Sequence, residues 1–421
     1  MQLKVNSFPV SAIRFGQQSS YDNGVLTLCQ EACRALLLKD KNLQDVALDV
    51  VLPGEKTRIL HILDAVIPTA DMGNANCFPG FLGTPSTAGN GEMHRLEDMF
   101  LVTCGRFKTS DEILRTREAI VDMWGENAKL SPFSESKCLV LTLEMAPDVP
   151  LGEADLSARI AELKLAEYLA TLTKDCMPAA TAEYGHWEKT EGLPTVCLIL
   201  QLASIGTLFD TYFYGRSVEG IAPTLIDINE LMAGAVVSGE YFYGGQRQPT
   251  CHYQDNPIIK AMLARHGKTL SFGGVILTRG YYNTDVDKRR AASHCARLAE
   301  GLGADGVIIH AESGGNSHVD AMLTVQCCER QGIATAVILA EMGDVNSDEL
   351  SLVDFVPEAT AIVSAGNREL LIRIEECSKA VGGVRLMDTD LPAVVSQEVP
   401  LNHYFCSNSQ LGAWNLSMDA L

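Results

Sequence analysis

Gln248-Pro249-Thr250-Cys251-His252-Tyr253-Gln254-Asp255-Asn256-Pro257 divides the chain into two kinds of sequence. To its left runs a long, mixed, strand-rich half. To its right, apolar strands alternate with stretches of helical period. Strands are expected at Gly274-Val275-Ile276-Leu277, Val307-Ile308-Ile309-His310, Ala336-Val337-Ile338-Leu339 and Ala361-Ile362-Val363. Helices are expected from Pro257 to Arg265, with Gly267 as a stop signal, and near 287–302, 317–331 and 348–355. Such a repeat specifies a parallel sheet with right-handed crossovers. The expected fold class is α/β, with a strand-rich mixed N-terminal region (1–250) and a parallel-sheet βαβ C-terminal domain (251–421).

In the first half, Phe8-Pro9-Val10, Val25 to Leu28, Val46 to Val51 and Thr57 to Ile62 have strand composition. Asp22-Asn23-Gly24 and Pro53-Gly54-Glu55 are turn signals between them. Long loops of the kind that carry function are expected at 71–92 and 122–134. A strand at Cys138 to Leu143 precedes a helix over about 153–174, and Thr195 to Leu200 reads as a buried strand. A short helix at Ile228 to Met232 and a strand at Ala235 to Ser238 lead to Cys251.

Open parallel sheets bind ligands at the carboxyl ends of their strands. The segments there are Thr278-Arg279, Glu312-Ser313-Gly314-Gly315-Asn316, Glu341-Met342-Gly343 and Ser364-Ala365-Gly366-Asn367. Gly314, Gly315 and Asn316 form a turn feeding a helix, suited to holding an anionic group on backbone N–H. By contrast, Gly301-Leu302-Gly303-Ala304-Asp305-Gly306 matches the dinucleotide fingerprint only in letters. It joins a helix to a strand, whereas the fingerprint joins a strand to a helix.

The net charge of −20 argues against nucleic acid as a partner. No apolar run approaches the ~20 residues of a membrane span, and Met1 to Asn6 has no signal-peptide core. Thirteen cysteines without a secretory signal suggest a reducing cytoplasm. There is no C-x-x-C pair and no H-E-x-x-H motif, so no metal is expected.

Cys251 is a candidate for chemistry, the plain alternative being one ordinary cysteine among the 13, in a proline-bounded loop. A thiol can attack the carbonyl of the residue before it, here Thr250, and turn the amide into a thioester. Loss of the sulfur by β-elimination then leaves dehydroalanine, which hydrolyses to a pyruvoyl end. This requires a strained or exposed bond and a nearby base. Pro249 fixes the approach, and His252 is an adjacent candidate proton carrier, an exposed loop histidine being the plain alternative.

Several segments, in this order, resemble the pyruvoyl-forming proprotein of component B in glycine, sarcosine and betaine reductases, with the D-proline reductase proprotein a more distant relative. In the first half these are Ile13-Arg14-Phe15-Gly16, Leu52-Pro53-Gly54-Glu55-Lys56-Thr57-Arg58-Ile59, Phe78-Pro79-Gly80 and Asp122-Met123-Trp124-Gly125. Further on they are Gly234-Ala235-Val236-Val237-Ser238-Gly239, Asn256-Pro257-Ile258-Ile259, Leu302-Gly303-Ala304-Asp305-Gly306 and Ser364-Ala365-Gly366-Asn367. The resemblance implies cutting at Thr250–Cys251, with Cys251 becoming an N-terminal pyruvoyl group that activates a small amine or amino acid for reductive C–N cleavage. It implies two partners: a selenocysteine-containing component B subunit and a small selenoprotein carrier. Gly314, Gly315 and Asn316 are candidates for the substrate carboxylate.

Two other readings stay open. One is an uncleaved paralogue that binds substrate and scaffolds the selenoprotein subunit. The other is a small-molecule binding protein without chemistry, which explains the α/β half but gives Cys251 no role. A nucleotide-dependent enzyme is weakened by the misplaced glycines.

Overall fold

The computed structural model describes residues 2–107, 117–185, 187–208, 210–312, 314–343 and 351–409. The first half builds two four-stranded sheets. One runs in the order Ala180–Tyr184, Leu3–Pro9, Gly91–Glu97, Thr69–Gly73. The other runs Leu43–Val51, Lys137–Met145, Met99–Gly105, Ile62–Val66. The Leu151–Thr171 helix packs against strands of both sheets. It is buried around most of its circumference, and its buried residues include Asp155, Arg159 and Glu162 as well as alanines and leucines. That explains why its apolar stripe is poorly defined. Asp22-Asn23-Gly24 is the expected hairpin turn, with Asn23 and Gly24 both at positive φ between antiparallel strands.

The second sheet system has six strands in the order Thr224–Ile226, Ser271–Arg279, Thr195–Leu202, Gly306–Ala311, Ala334–Glu341, Ile362–Asn367. The first is antiparallel and the other five are parallel. Counted along the chain, the parallel strands lie in the order 2-1-3-4-5. The strand at Thr195–Leu202, before residue 250, therefore sits between two strands from after it. It bonds along one edge to Ser271–Arg279 and along the other to Gly306–Ala311. Both faces of this strand are buried, which is why Thr195 to Leu200 reads as an uninterrupted apolar run. Cys197 and Ile199 pack with the helices Asp285–Gly301 and Asn316–Arg330. Leu198, Leu200 and Leu202 pack on the other side with Tyr253, Ile259 and Met262.

The helices expected at 257–265, 287–302 and 317–331 are present. The helix expected at 348–355 is not seen in its described part, since residues 351–355 have no helical structure, and 348–350 lie outside the described residues. Gly301 to Gly306 joins a helix to a strand, as its rejection as a nucleotide site requires.

The chain after 368 returns to the first half. Lys379–Val381 pairs in parallel with Thr57–Ile59, whose other edge holds Val121–Asp122. The buried Arg58 side chain fixes this return. It grips Asp122 through Nε (2.5 Å) and Nη2 (2.9 Å), and donates to the carbonyls of Ala393 (2.7 Å) and Glu375 (2.9 Å). The Tyr404 hydroxyl donates to the same Asp122 carboxylate at 2.5 Å. Arg58→Ala leaves Asp122 buried and uncompensated, so it should cost about 3–5 kcal/mol of stability. A denaturant midpoint measured for the full chain checks this.

Candidate functional site

Pro249 has an extended backbone (φ −70°, ψ 159°) and opens a helix at Thr250–Gln254. Asp255 ends it, and Asn256 caps the next helix by accepting from the Ile259 N–H, with Pro257 at its first position. The two prolines thus bound a helical segment, where an exposed or strained loop was expected. The backbone of 250–254 is ordinary, and Cys251 is 1% exposed. The reason is that both halves cover the segment, leaving its polar groups to be matched internally.

Thr250 and Gln254, one helical turn apart, face the same stretch of the first half. The Asp64 carboxylate accepts from the Thr250 N–H (2.8 Å) and from its hydroxyl (2.5 Å). The Gln254 amide bonds to both the N–H (2.9 Å) and the C=O (3.1 Å) of Ile67. A segment 186 residues upstream therefore holds the helix at both ends. Cys251 packs among apolar residues that include Phe133, Phe405 and Cys406. Burial, then the charge of Asp64, push its thiol well above the ordinary range, so it is not a standing thiolate. His252 is also buried. Its ring stacks on Phe133 at 5.8 Å, and burial pushes its pKa down to about 4. The imidazole is neutral near pH 7, and its Nδ1 has no partner among the described residues.

Tyr253 points the other way, to the sheet. Its hydroxyl bonds Glu312 Oε2 at 3.1 Å, and the Ala203 N–H donates to the same oxygen at 2.5 Å. Ala203 and Glu312 directly follow the adjacent strands Thr195–Leu202 and Gly306–Ala311, where the 2-1-3-4-5 order reverses. That crevice is where open parallel sheets bind ligands. Several buried polar atoms here lack partners among the described residues. They are Glu312 Oε1, Glu240 Oε2, Gln246 Nε2 and both ring nitrogens of His310. Burial raises Glu312 to about 8, with Glu240 adding to the rise, and lowers His310 to about 3, with His252 adding to the fall. Buried polar atoms without partners are costly, and their grouping makes this crevice the candidate ligand site.

The structure puts Gly314 and Gly315 at this end of the sheet. A side chain at Gly314 would begin 2.3 Å from Met342 Sδ and 3.1 Å from Gln246 Nε2. Gly315 has φ +74°, which favours glycine, and starts the Asn316–Arg330 helix. Asn316 is directed elsewhere, with its side-chain amide near the Tyr282 carbonyl at 3.4 Å. Arg368, following the last parallel strand, reaches Gln246 Oε1 at 3.3 Å and lies 4.1 Å over the Tyr243 ring. Among the described residues, no cluster of three or more His, Cys, Asp or Glu could hold a metal ion.

Sequence reasoning missed Asp64, Glu162, Glu240, Gln246, His310 and Arg368, and passed over Glu312 for the glycines beside it. Two signals were present. Asp64 is the lone carboxylate in the run Ile59 to Ile67, and a buried acid needs partners. Asp155, Arg159 and Glu162 recur at i, i+4 and i+7, one stripe of a helix otherwise rich in alanine and leucine.

The family model for glycine/sarcosine/betaine reductase component B subunits matches residues 1–419. The glycine reductase complex component B subunits alpha and beta of Acetoanaerobium sticklandii are 31% identical, over 91% of this chain and 89% of that sequence. Their counterpart in Peptoclostridium acidaminophilum is 30% identical over 99% of both. The sarcosine reductase complex component B subunit alpha of the same organism is 30% identical, over 92% of this chain and 91% of its own length. No solved structure matches.

Glu312 gives a pH test. Folded, it keeps its proton up to about 8; unfolded, it gives it up near its ordinary 4.5. Between these values the unfolded state binds fewer protons, so stability falls as pH rises. Glu312→Gln cannot titrate. Its stability relative to wild type should rise between pH 5 and pH 8, read from denaturant midpoints at the two pH values.

Proposed function

The chain belongs to the glycine/sarcosine/betaine reductase component B family, and from that premise we propose that it is the substrate-activating, pyruvoyl-forming component of an amine reductase, cut at Thr250–Cys251. The observation that carries this reading is the position of the Thr250–Gln254 helix. Cys251 lies on the element whose Tyr253 bonds Glu312 at the switch point of the sheet, among polar atoms that lack partners among the described residues. A new chain end at 251 would thus form beside the crevice. Support also comes from the glycine reductase relatives, each a single sequence named for both an alpha and a beta subunit. One cut in one chain produces that pair.

The cut needs neither oxidant nor reductant. The Cys251 thiol gives up its proton, and its sulfur bonds to the Thr250 carbonyl carbon. The C–N bond then breaks, and the nitrogen takes up a proton. Loss of the residue-251 α-proton, with departure of the sulfur as a thiocarboxylate on Thr250, leaves dehydroalanine on the new end. One water replaces its nitrogen, released as ammonia, and gives the keto group. A second water hydrolyses the thiocarboxylate and releases hydrogen sulfide.

The residues present fit such a group. Cys251 and His252 are enclosed away from water, and His252 is a neutral imidazole whose Nδ1 has no partner among the described residues. When formed, a pyruvoyl carbonyl supplies an electrophile for a substrate amine. In this reading Glu312 and Glu240 hold the amine side of a small amino acid. Gln246, Arg368 and the backbone of Gly314 and Gly315 take its carboxylate. The chain is written without selenocysteine, so the reducing nucleophile comes from partners: a selenocysteine-bearing component B subunit and a small selenoprotein carrier. The relatives' names place them in multi-subunit reductase complexes, in keeping with that need.

Intact mass of the purified protein tests the reading. Cutting yields pieces of 250 and 171 residues, roughly 27 and 18.5 kDa of the 45.6 kDa total by residue share. The smaller piece should resist Edman degradation and react with borohydride or hydrazines. Cys251→Ala should stay whole and inactive. A single full-length species in active protein, with an alkylatable thiol at Cys251, would move the chain to the uncleaved scaffold reading.

A further inference from the structure

Asp64 lies beside a β-bulge. The pairing of Ile62–Val66 with Met99–Gly105 shifts between Thr103 and Cys104, and bulges re-aim neighbouring side chains. One Asp64 oxygen accepts from the N–H groups of Thr250 and Ala65, both at 2.8 Å. The other accepts from the Thr250 hydroxyl at 2.5 Å. That hydroxyl oxygen in turn accepts from the Ser238 N–H at 2.9 Å. Its single proton is therefore committed to Asp64, and the Thr250 side chain has one orientation. Glu162 lies close enough to Asp64 to feel its charge. Arg159, on the same helix as Glu162, is engaged by both oxygens of Asp155 (2.9 and 3.2 Å) and by the Ser238 carbonyl (2.5 Å). Through Arg159 the helix thus holds Ser238 on one side of the approach to the bond, with Asp64 on the other.

We propose that Asp64 is the positioning residue that presents the Thr250 carbonyl to the Cys251 thiol. The proposal rests on the cleavage reading above. A local cap would also satisfy the first N–H of a five-residue helix. What a cap does not need is a carboxylate from another sheet and a hydroxyl oriented from both sides. Burial raises both Asp64 and Glu162, and the charge of Asp64 raises Glu162 further. The ionisable groups facing Asp64 come from three places. Arg159 and Glu162 belong to the Leu151–Thr171 helix. Tyr241, Arg247, Cys251 and Tyr253 belong to the segment bearing the bond, and Cys406 to the returning C-terminal part.

The test is a time course of cutting in the full chain, by intact mass, between pH 5 and pH 8. Asp64→Asn keeps the shape but loses the charge-assisted bonds, worth ~1.5–3 kcal/mol, so cutting should slow at least about tenfold. The wild-type rate should fall as acid protonates Asp64, and Asp64→Asn should lack that limb. Should Asp64→Asn fail to fold, Thr250→Val removes the hydroxyl alone and should slow cutting, with Thr250→Ser faster than Thr250→Val. Wild-type rates in Asp64→Asn, or an unchanged acid limb, would overturn the proposal and leave the cleavage reading standing. A wild-type chain that never cuts would overturn both.

Discussion

Polar groups that cannot reach water must find partners inside the protein, and that constraint shapes the seam around Cys251. The segment 248–254 is covered on every side, so several of its polar groups are matched by distant parts of the chain. Asp64 takes the N–H and hydroxyl of Thr250, Ile67 takes the amide of Gln254, and Glu312 takes the hydroxyl of Tyr253. Net gains from such bonds are about 1 kcal/mol each, but a buried group left unmatched costs more. The seam therefore forms as a unit or not at all. Against that background, the atoms of His310, Glu240, Glu312 and Gln246 without partners among the described residues stand out as the exception in the seam.

The same interleaving decides what a cut would do. The bond at 250 lies in the connection between the first and second parallel strands, yet the first of these is central in the sheet. Thr195–Leu202 gives hydrogen bonds on both edges to strands that follow residue 251. In addition, Lys379–Val381 adds to the Thr57–Ile59 strand, and Arg58 secures the junction. Two fragments made at this bond would remain one fold. Cutting would release only a local restraint, at the place where the polar crevice lies.

How far the sequence revealed this depended on range. The parallel sheet was legible because its strands and helices are each written in one local period: Thr195 to Leu200 as an apolar run, 287–302 and 317–331 as helical repeats. The expected helix at 348–355 failed in its described part, where Leu352, Val353 and Phe355 lie close together without forming a helix. Cys251 and the glycine turn at Gly314 and Gly315 were readable because each is a local pattern. Asp64 and Glu162 were not, because their role exists only in pairs 186 and about 100 residues apart in sequence. A lone acid in an apolar run says that a partner exists and not which one. The same limit made His252 look like a loop residue. Flanking prolines suggest an exposed loop, and nothing local shows that Phe133 will cover the ring.

That range dependence bears on when the proposed cleavage could occur. In the unfolded chain, Thr250–Cys251 is an ordinary peptide bond with an ordinary thiol beside it. Folding raises the thiol well above its usual range, which on its own suppresses attack. Folding also brings Asp64, Glu162 and Ser238 to Thr250, and these groups come from a sheet, a helix and a loop that meet only in the finished structure. The two effects oppose each other, and they set an order of events. A misfolded or half-folded chain lacks the positioning groups, and a folded chain holds the thiol protonated until a base takes its proton in the same step as attack. Chemistry at this bond is thereby confined to chains whose two halves have already joined, which is the condition under which a new end at residue 251 lies beside the crevice.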